Sequence, residues 1–345
     1  MNGPRPDLLT DLLRDVSRSF YLTLRVLPEP VRAQIGLAYL LARATDTIAD
    51  SDLVPVADRL ALLRLLRDRI LGGHDEPLDF TGLAEGQALP AERALLERIE
   101  EAIEVLAGFS CFDRCCVREV ITTITSGQEL DLVRFQDADS TRIVALETQE
   151  ELDDYTYRVA GCVGGFWTRL CRAHLFPDTA LDLARYVDDA VRFGKGLQLV
   201  NILRDLPGDL RKGRCYLPAD GLARHGLQPE DLLDPAREPR LRPLYREHLA
   251  TASAHLEAGW RYTCTTPVSQ SRARLACALP LLIGAETVSL LGAGNNVLDP
   301  TRRIKVPRPR VRWIMVRSVA LVPFRRRWEA MFRTPIGPIA APPPR

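Results

Sequence analysis

The stretches IGLAYLLARATDTIAD (residues 35–50) and GLQLVNILRDLPGD (196–209) each end in two aspartates four residues apart. On an α-helix, residues four apart share one face, with about 5–6 Å between their Cβ atoms. The preceding residues are apolar nearly all round, which is typical of a helix inside a large protein. Because a polar face on a buried helix needs a cation, a polar partner or a wet cavity, the two stretches predict two buried helices with a polar site between them.

The two acidic pairs, Asp46 with Asp50 and Asp205 with Asp209, have the chemistry of magnesium ligands. Mg²⁺ prefers one or two carboxylates together with water and phosphate oxygens. A single pair is more often a solvated helix face, whereas two pairs in apolar segments predict a metal-bridged diphosphate site. Pro207 interrupts an α-helix, so we expect the second helix to end near residue 206 and Asp209 to project from a loop or a new turn.

Composition indicates an ordinary globular protein of 345 residues, with 46% apolar and 26% charged residues. The formal net charge of +1 gives no bias toward nucleic acid, and we expect no such partner. The eight cysteines show no zinc spacing, which predicts buried thiols in a reducing compartment. The acidic N-terminal residues argue against a signal peptide, and no stretch reaches the length of a spanning helix. We therefore expect a cytoplasmic protein.

Helical periodicity dominates the chain, and strand signals are nearly absent. The pattern predicts one all-α domain over residues 1–300, a basic amphipathic segment over 301–333 and a disordered tail over 334–345. The expected helices are 7–16, 29–50, 55–72, 90–107, 110–135, 149–175, 178–206, 240–263, 269–293 and 309–322.

Six motifs in order along the chain resemble those of the squalene and phytoene synthases, the head-to-head prenyl transferases of the all-α isoprenoid synthase fold. The motifs are SRSF (17–20), ARATDTIAD (42–50), ITTITSGQELD (121–131), YTYRVAGCVG (155–164), QLVNILRDLPGD (198–209) and GRCYLP (213–218). The resemblance implies helices around a central cavity. It also implies that Mg²⁺ bound by the four aspartates holds the substrate diphosphates.

The resemblance assigns further roles residue by residue. Arg18, Arg43 and Arg204 are placed to contact phosphate, where a planar guanidinium binds two oxygens. Tyr155 matches the tyrosine implicated in the proton removal that closes a cyclopropane ring, so the catalytic set is Tyr155, Arg43, Asp46 and Asp50. Aromatic rings that can face a carbocation are Phe20, Tyr39, Tyr155, Tyr157 and Phe166. The expected substrate contacts are Ser17, Arg18, Ser19, Phe20, Tyr39, Arg43, Tyr157, Gln198 and Asn201.

Details of the motifs indicate which product the enzyme forms. Threonine after Asp46 and the segment TITSGQEL are similar to squalene synthases, which condense two farnesyl diphosphates and then use NADPH. The tyrosine pair Tyr155 and Tyr157 is similar to phytoene-type enzymes, which need no reductant. We expect a squalene synthase. The alternatives are a phytoene or dehydrosqualene synthase and an enzyme that stops at presqualene diphosphate. No Rossmann motif is present, so NADPH would bind in the helical cleft. The resemblance implies that its contacts are Asn201, Arg204 and Arg214.

The segment 302–333 is dense in arginine and interleaved with tryptophan, phenylalanine and aliphatic residues. A basic, apolar segment of this kind predicts peripheral contact with an anionic membrane, on the inner membrane surface. The alternative is a final helix packed on the core with solvated arginines.

The sequence argues against two other classes of protein. A di-iron carboxylate bundle usually carries Glu-x-x-His pairs on core helices, and the sequence has none. A prenyl-lipid carrier would not need the intact acidic motifs.

Overall fold

The computed structural model describes residues 7–17, 21–51, 53–294 and 296–333. The expected all-α fold is confirmed, since 76% of the chain is helical. The predicted disordered tail over 334–345 lies outside the described residues. The described chain divides into two compact units, residues 1–136 with 166–178 and residues 137–165 with 179–345.

The first unit is built from helices that follow a π-helical turn at Leu8–Leu12. These helices are α1 Leu13–Ser17, α2 Tyr21–Val26, α3 Glu29–Ala49, α4 Val56–Leu71, α5 Thr81–Glu85, α6 Pro90–Glu97, α7 Ile99–Ala107 and α8 Cys111–Arg134. Helix α3 lies at its centre, in contact with α4, α6, α7 and α8. Its side chains Leu37, Leu40, Leu41 and Ile48 are fully buried, as its apolar pattern predicts.

The second unit contains the remaining helices: α9 Gln149–Thr156, α11 Leu183–Leu210, α12 Ala219–Arg224, α13 Glu238–Thr265, α14 Ser271–Gly292, α15 Arg308–Leu321 and α16 Arg325–Glu329. A π-helical turn at Tyr157–Gly161 joins α9 to α10, Cys162–Leu175, which contributes residues to both units. Two short parallel strands, β1 Val144–Ala145 and β2 Arg214–Cys215, pair with each other. Short 3-10 turns lie at Pro229–Leu233, Pro235–Arg237, Val268–Gln270 and Ala330–Arg333.

The expected helices are confirmed in position, with three differences of physical interest. The helix expected over 90–107 is divided at Arg98, which lies between α6 and α7. The helix expected to end at residue 206 continues through Pro207 to Leu210, so that expectation is wrong. The strand pair was not predicted, because two-residue strands leave no alternation pattern to detect.

Two expectations about buried segments need correction. Cys111 and Cys115, in the first turns of α8, are exposed rather than buried. Residues Val268–Gly292, which include α14, are long and apolar enough to cross a membrane by length and composition, although no such stretch was expected. Of the most apolar 18-residue window of this stretch, 61% is buried inside the protein. A core helix packed on all sides is apolar all round for the same reason.

Glycines allow the π-helical turn and the first turn of α10 to approach α11 until their backbones touch. A Cβ on Gly164 would lie 2.0 Å from the carbonyl oxygen of Ala190, and one on Gly194 would lie 2.2 Å from that of Ala160. A Cβ on Gly165 would meet nothing within 4 Å. Small residues at these positions fit two explanations, close helix packing or room for a prenyl chain. Gly164 serves packing, and Gly165 faces open space.

The neighbouring glycines therefore make a matched pair for mutation. We expect Gly164→Ala to lower the free energy of unfolding by about 2 kcal/mol or more, because the new methyl group overlaps backbone atoms. Gly165→Ala adds the same methyl group without a clash and should change stability by less than about 1 kcal/mol, toward a more stable helix. Denaturant unfolding of both variants tests the packing. Equal effects of the two substitutions would contradict it.

Candidate active site

The first acidic pair lies at the C-terminal end of α3. Asp46 occupies the last turn, and Asp50 caps the helix by donating its backbone N–H to the carbonyl oxygen of Asp46 at 2.9 Å. The predicted helical spacing of the two residues is therefore confirmed. Asp50 is exposed, and the side chain of Asp46 keeps 43% of its surface accessible.

Arg43 links this pair to a neighbouring helix. Its Nη1 donates to Asp46 Oδ2 at 2.6 Å, and its Nη2 donates to Glu92 on α6. Burial disfavours the charged guanidinium, but Asp46 and Glu92 outweigh burial and raise the pKa of Arg43. Sequence reasoning missed Glu92, since nothing in α6 marks it as the partner of a residue 49 positions earlier.

The surroundings of the Asp46 carboxyl group disfavour its ionised form. Burial and the negative charge of Asp50 raise the pKa of Asp46 to about 6, against the opposing effect of Arg43. Glu92 adds a smaller effect in the same direction as Asp50. A bound cation would relieve this repulsion, because an opposite charge favours the ionised carboxylate.

The second acidic pair lies on α11 and is more regular than expected. The helix is continuous from Leu183 to Leu210, so Asp205 and Asp209 are one turn apart on a single helix. Arg204 holds Asp205 in a two-point contact, with Nε to Oδ1 at 3.0 Å and Nη2 to Oδ2 at 2.5 Å. That hydrogen bonding raises the pKa of Arg204. Each acidic pair therefore has one arginine bound to its first aspartate.

Helix α11 passes Pro207 because a side chain replaces the missing backbone donor. An amide at position 207 would donate to the carbonyl oxygen of Leu203, and proline has none. The hydroxyl of Tyr245, on α13, donates to that oxygen at 2.9 Å. Tyr245 is fully buried. The sequence gives no sign that Tyr245 donates to this carbonyl oxygen.

The other residues predicted on these helices are placed as follows. Tyr39 is half-buried one turn before Arg43. Gln198 and Asn201 are half-buried on α11, two turns and one turn before Asp205, respectively. The predicted NADPH contact Arg214 lies on β2, where it pairs in register with Val144.

The SRSF motif is only partly described. Ser17 is buried at the end of α1, and its Oγ makes no hydrogen bond to any residue that the structure describes. The predicted substrate contacts Arg18, Ser19 and Phe20 lie outside the described residues.

The two predicted tyrosines have different surroundings. Tyr155 is buried in the last turn of α9 and stacks on Tyr216, with ring centroids 4.8 Å apart. Tyr157 begins the π-helical turn and is 41% exposed. It lines an open pocket of ≈ 590 Å³ that also contains the Lys195 and Asp153 ion pair. Tyr216, in the motif GRCYLP, was not predicted as a site residue.

The donors present suit Mg²⁺. Within residues 7–17, 21–51, 53–294 and 296–333, no three His, Cys, Asp or Glu side chains converge closely enough to hold a metal together. Each acidic pair offers two carboxylates, the number that Mg²⁺ uses when water and phosphate oxygens complete its coordination. The raised pKa of Asp46 is a further sign of a carboxylate pair suited to a cation.

The fold of this chain is that of squalene synthase-type isoprenoid synthases. The match to the solved structure of TcSQS in complex with a ligand covers 96% of this chain and 91% of the TcSQS chain. The TM-score is 0.76, and the sequence identity is 21%. At 21% identity this similarity shows a shared fold and nothing more.

The chain belongs to the squalene/phytoene synthase family, whose family model matches residues 13–310. Presqualene diphosphate synthase of Rhodopseudomonas palustris is 31% identical over 240 residues, 70% of this chain and 72% of the relative. A bifunctional lycopene cyclase/phytoene synthase of Colletotrichum graminicola is 27% identical over 303 residues, 86% of this chain. The chain spans 49% of that fungal protein. The family consists of prenyltransferase-type enzymes that use prenyl diphosphates.

The electrostatics of the first pair give a direct prediction. Asp50→Asn removes the neighbouring charge, so we expect the pKa of Asp46 to fall from about 6 toward the ordinary range of an aspartate. Carbon NMR titration of labelled aspartate carboxyl groups in metal-free protein measures it, with Asp46→Asn assigning the signal. Asp68→Asn on α4 is the control and should leave the titration of Asp46 unchanged. A pKa that stays at about 6 in Asp50→Asn would refute the assigned cause.

Proposed function

We propose that this protein is a squalene synthase. In this proposal two farnesyl diphosphates condense head to head to presqualene diphosphate, which then rearranges and is reduced by NADPH to squalene. The observation that carries the proposal is the recurrence of one arrangement on α3 and α11: two helical carboxylates one turn apart, with an arginine bound to the first. We propose that each pair holds Mg²⁺ for a substrate diphosphate.

The arginines have a second role in this proposal. Bound Mg²⁺ would supply the positive charge that neutralises the diphosphate and lets the allylic C–O bond ionise. In the structure Arg43 and Arg204 are held by Asp46 and Asp205. If those carboxylates bound a cation, the guanidinium group of Arg204 and Nη1 of Arg43 would be released to contact diphosphate oxygens, while Glu92 still holds Nη2 of Arg43.

Tyr155 is proposed to act at the cyclopropane-forming step. The carbocation formed by the condensation loses a proton as the ring closes, and the phenolic oxygen of Tyr155 is the proposed acceptor on the way to pyrophosphate. Burial against the ring of Tyr216 keeps this tyrosine in a fixed position away from bulk water. Both ring faces also favour a nearby cation. Tyr157 and Tyr39 are proposed substrate contacts.

The reductant site is proposed to include Asn201, Arg204 and Arg214. Asn201 lies almost one turn before Arg204 on α11, and Arg214 follows the same helix on β2. Cationic side chains at these positions suit the phosphates of NADPH.

Two alternatives remain within the same chemistry. The relative from Rhodopseudomonas palustris favours an enzyme that stops at presqualene diphosphate, and the fungal relative favours a phytoene synthase that needs no NADPH. Incubation with farnesyl or geranylgeranyl diphosphate and Mg²⁺, with and without NADPH, separates them by mass spectrometry of the products. Squalene that forms only with NADPH supports the proposal. Turnover of geranylgeranyl diphosphate alone overturns it.

The metal assignment predicts the effect of removing one carboxylate. We expect Asp46→Asn and Asp205→Asn each to lower kcat/KM for pyrophosphate release by about a hundredfold or more, because charge stabilisation of the leaving group is lost. Asp68→Asn, which removes an exposed aspartate of α4, is the control. Near-normal turnover in either motif variant would show that its carboxylate does not hold the metal.

We further propose that α15 brings the enzyme to an anionic membrane, where its lipidic substrates and product reside. One face of the helix packs on the second unit through buried Ile314 and Ser318 and an ion pair of Arg310 with Glu286. The other face exposes Val316 and Val319, at 69% and 61%. The chain from 301 to 328 carries ten Lys and Arg and no Asp or Glu. Exposed apolar residues among cations are typical of interfacial helices.

The membrane proposal predicts a loss of binding without a loss of folding. Val316→Glu with Val319→Glu places negative charge on the exposed face, so we expect the protein to remain in the supernatant when anionic liposomes are sedimented. Wild type should sediment with anionic liposomes and not with zwitterionic ones. Val133→Glu, at an exposed valine of α8, is the control. Equal sedimentation of wild type and the double variant would remove the membrane role.

A further inference from the structure

The carbonyl group of Leu203, on α11, is the acceptor that loses its usual backbone donor at Pro207. Proline at position 207 removes the amide that would bond to this carbonyl, and the proline ring pushes against it. Such a residue usually ends or kinks a helix. Helix α11 nevertheless continues to Leu210, and Asp209 lies within that last turn.

A single donor from another helix compensates for the missing amide. The Tyr245 hydroxyl donates to the Leu203 oxygen at 2.9 Å in a buried environment. Burial raises the pKa of Tyr245, so the hydroxyl stays protonated and remains a donor.

The position of Tyr245 is set by close packing of α13 on α11. A Cβ on Gly196 would lie 2.9 Å from the Cβ of His255, and one on Gly259 would lie 2.9 Å from the Cβ of Phe193. Helices in such close contact cannot shift without overlap. The donor is therefore held at a fixed place relative to the Leu203 carbonyl.

We infer that Tyr245 is a positioning residue for the metal site. Its hydroxyl keeps the turn after Pro207 helical, and this keeps Asp209 one turn from Asp205 on the same face. The inference rests on the proposed function, in which these two aspartates hold Mg²⁺. A metal ligand set depends on the groups that orient it, whose loss typically weakens binding tenfold or more.

The experiment compares wild type with Tyr245→Phe, which removes the hydroxyl and keeps the ring. Two readouts are used: hydrogen exchange of the amides in residues 204–211, and the Mg²⁺ concentration that gives half-maximal binding of inorganic pyrophosphate in calorimetry. We expect faster exchange in this peptide and an Mg²⁺ requirement raised about tenfold.

A second substitution tests the cause. Pro207→Ala supplies a backbone N–H for the Leu203 carbonyl, so the double variant Tyr245→Phe with Pro207→Ala should regain slow exchange and most of the affinity. Tyr186→Phe is the matched control, since this buried tyrosine of α11 donates to or accepts from Thr266 instead, far from the motif. It should leave the Mg²⁺ requirement unchanged.

The outcomes are distinct. Unchanged exchange and affinity in Tyr245→Phe, or a loss that Pro207→Ala does not rescue, would overturn the positioning role. A wild-type protein that binds no pyrophosphate with Mg²⁺ would instead overturn the proposed function, and the exchange data would still test the hydrogen bond.

Discussion

The repulsion between two carboxylates one turn apart is the constraint on which the rest of the site depends. On α3 burial and this repulsion together raise the pKa of Asp46 to about 6, even with Arg43 in contact. On α11 the first aspartate is likewise bound by an arginine. Helix α3 therefore carries a group of charges that the protein itself balances only in part. In the proposed function a divalent cation would supply the missing positive charge, and the substrate diphosphate would pair with the arginines.

Such charge groups need a rigid base, because a metal ligand that moves loses its affinity. The apolar residues of α3 provide this base in the first unit, where Leu37, Leu40 and Ile48 are fully buried. In the second unit the base is the backbone contact of α11 with its neighbours through Gly164 and Gly194. The Tyr245 hydroxyl then completes the hydrogen bonding that Pro207 interrupts.

Local patterns in the sequence were enough to predict the helices and the faces that carry the aspartates, because helical periodicity and the spacing of Asp46 and Asp50 are local properties. The end of α11 was predicted wrongly. Proline predicts a break from local chemistry, and the donor that prevents it lies 42 residues away. Glu92 was missed for the same reason, as its contact with Arg43 joins two helices. The neighbours Gly164 and Gly165 look alike in the sequence, and only the packing of α10 on α11 separates their roles.

The central claim is that each aspartate pair holds Mg²⁺ for a substrate diphosphate. A crystal structure with Mg²⁺ and a non-ionising thiodiphosphate analogue of farnesyl diphosphate tests it most directly. The account predicts magnesium at Asp46 and at Asp205, each beside diphosphate oxygen atoms of the analogue. An analogue bound away from either pair, or metal at one pair alone, would contradict it.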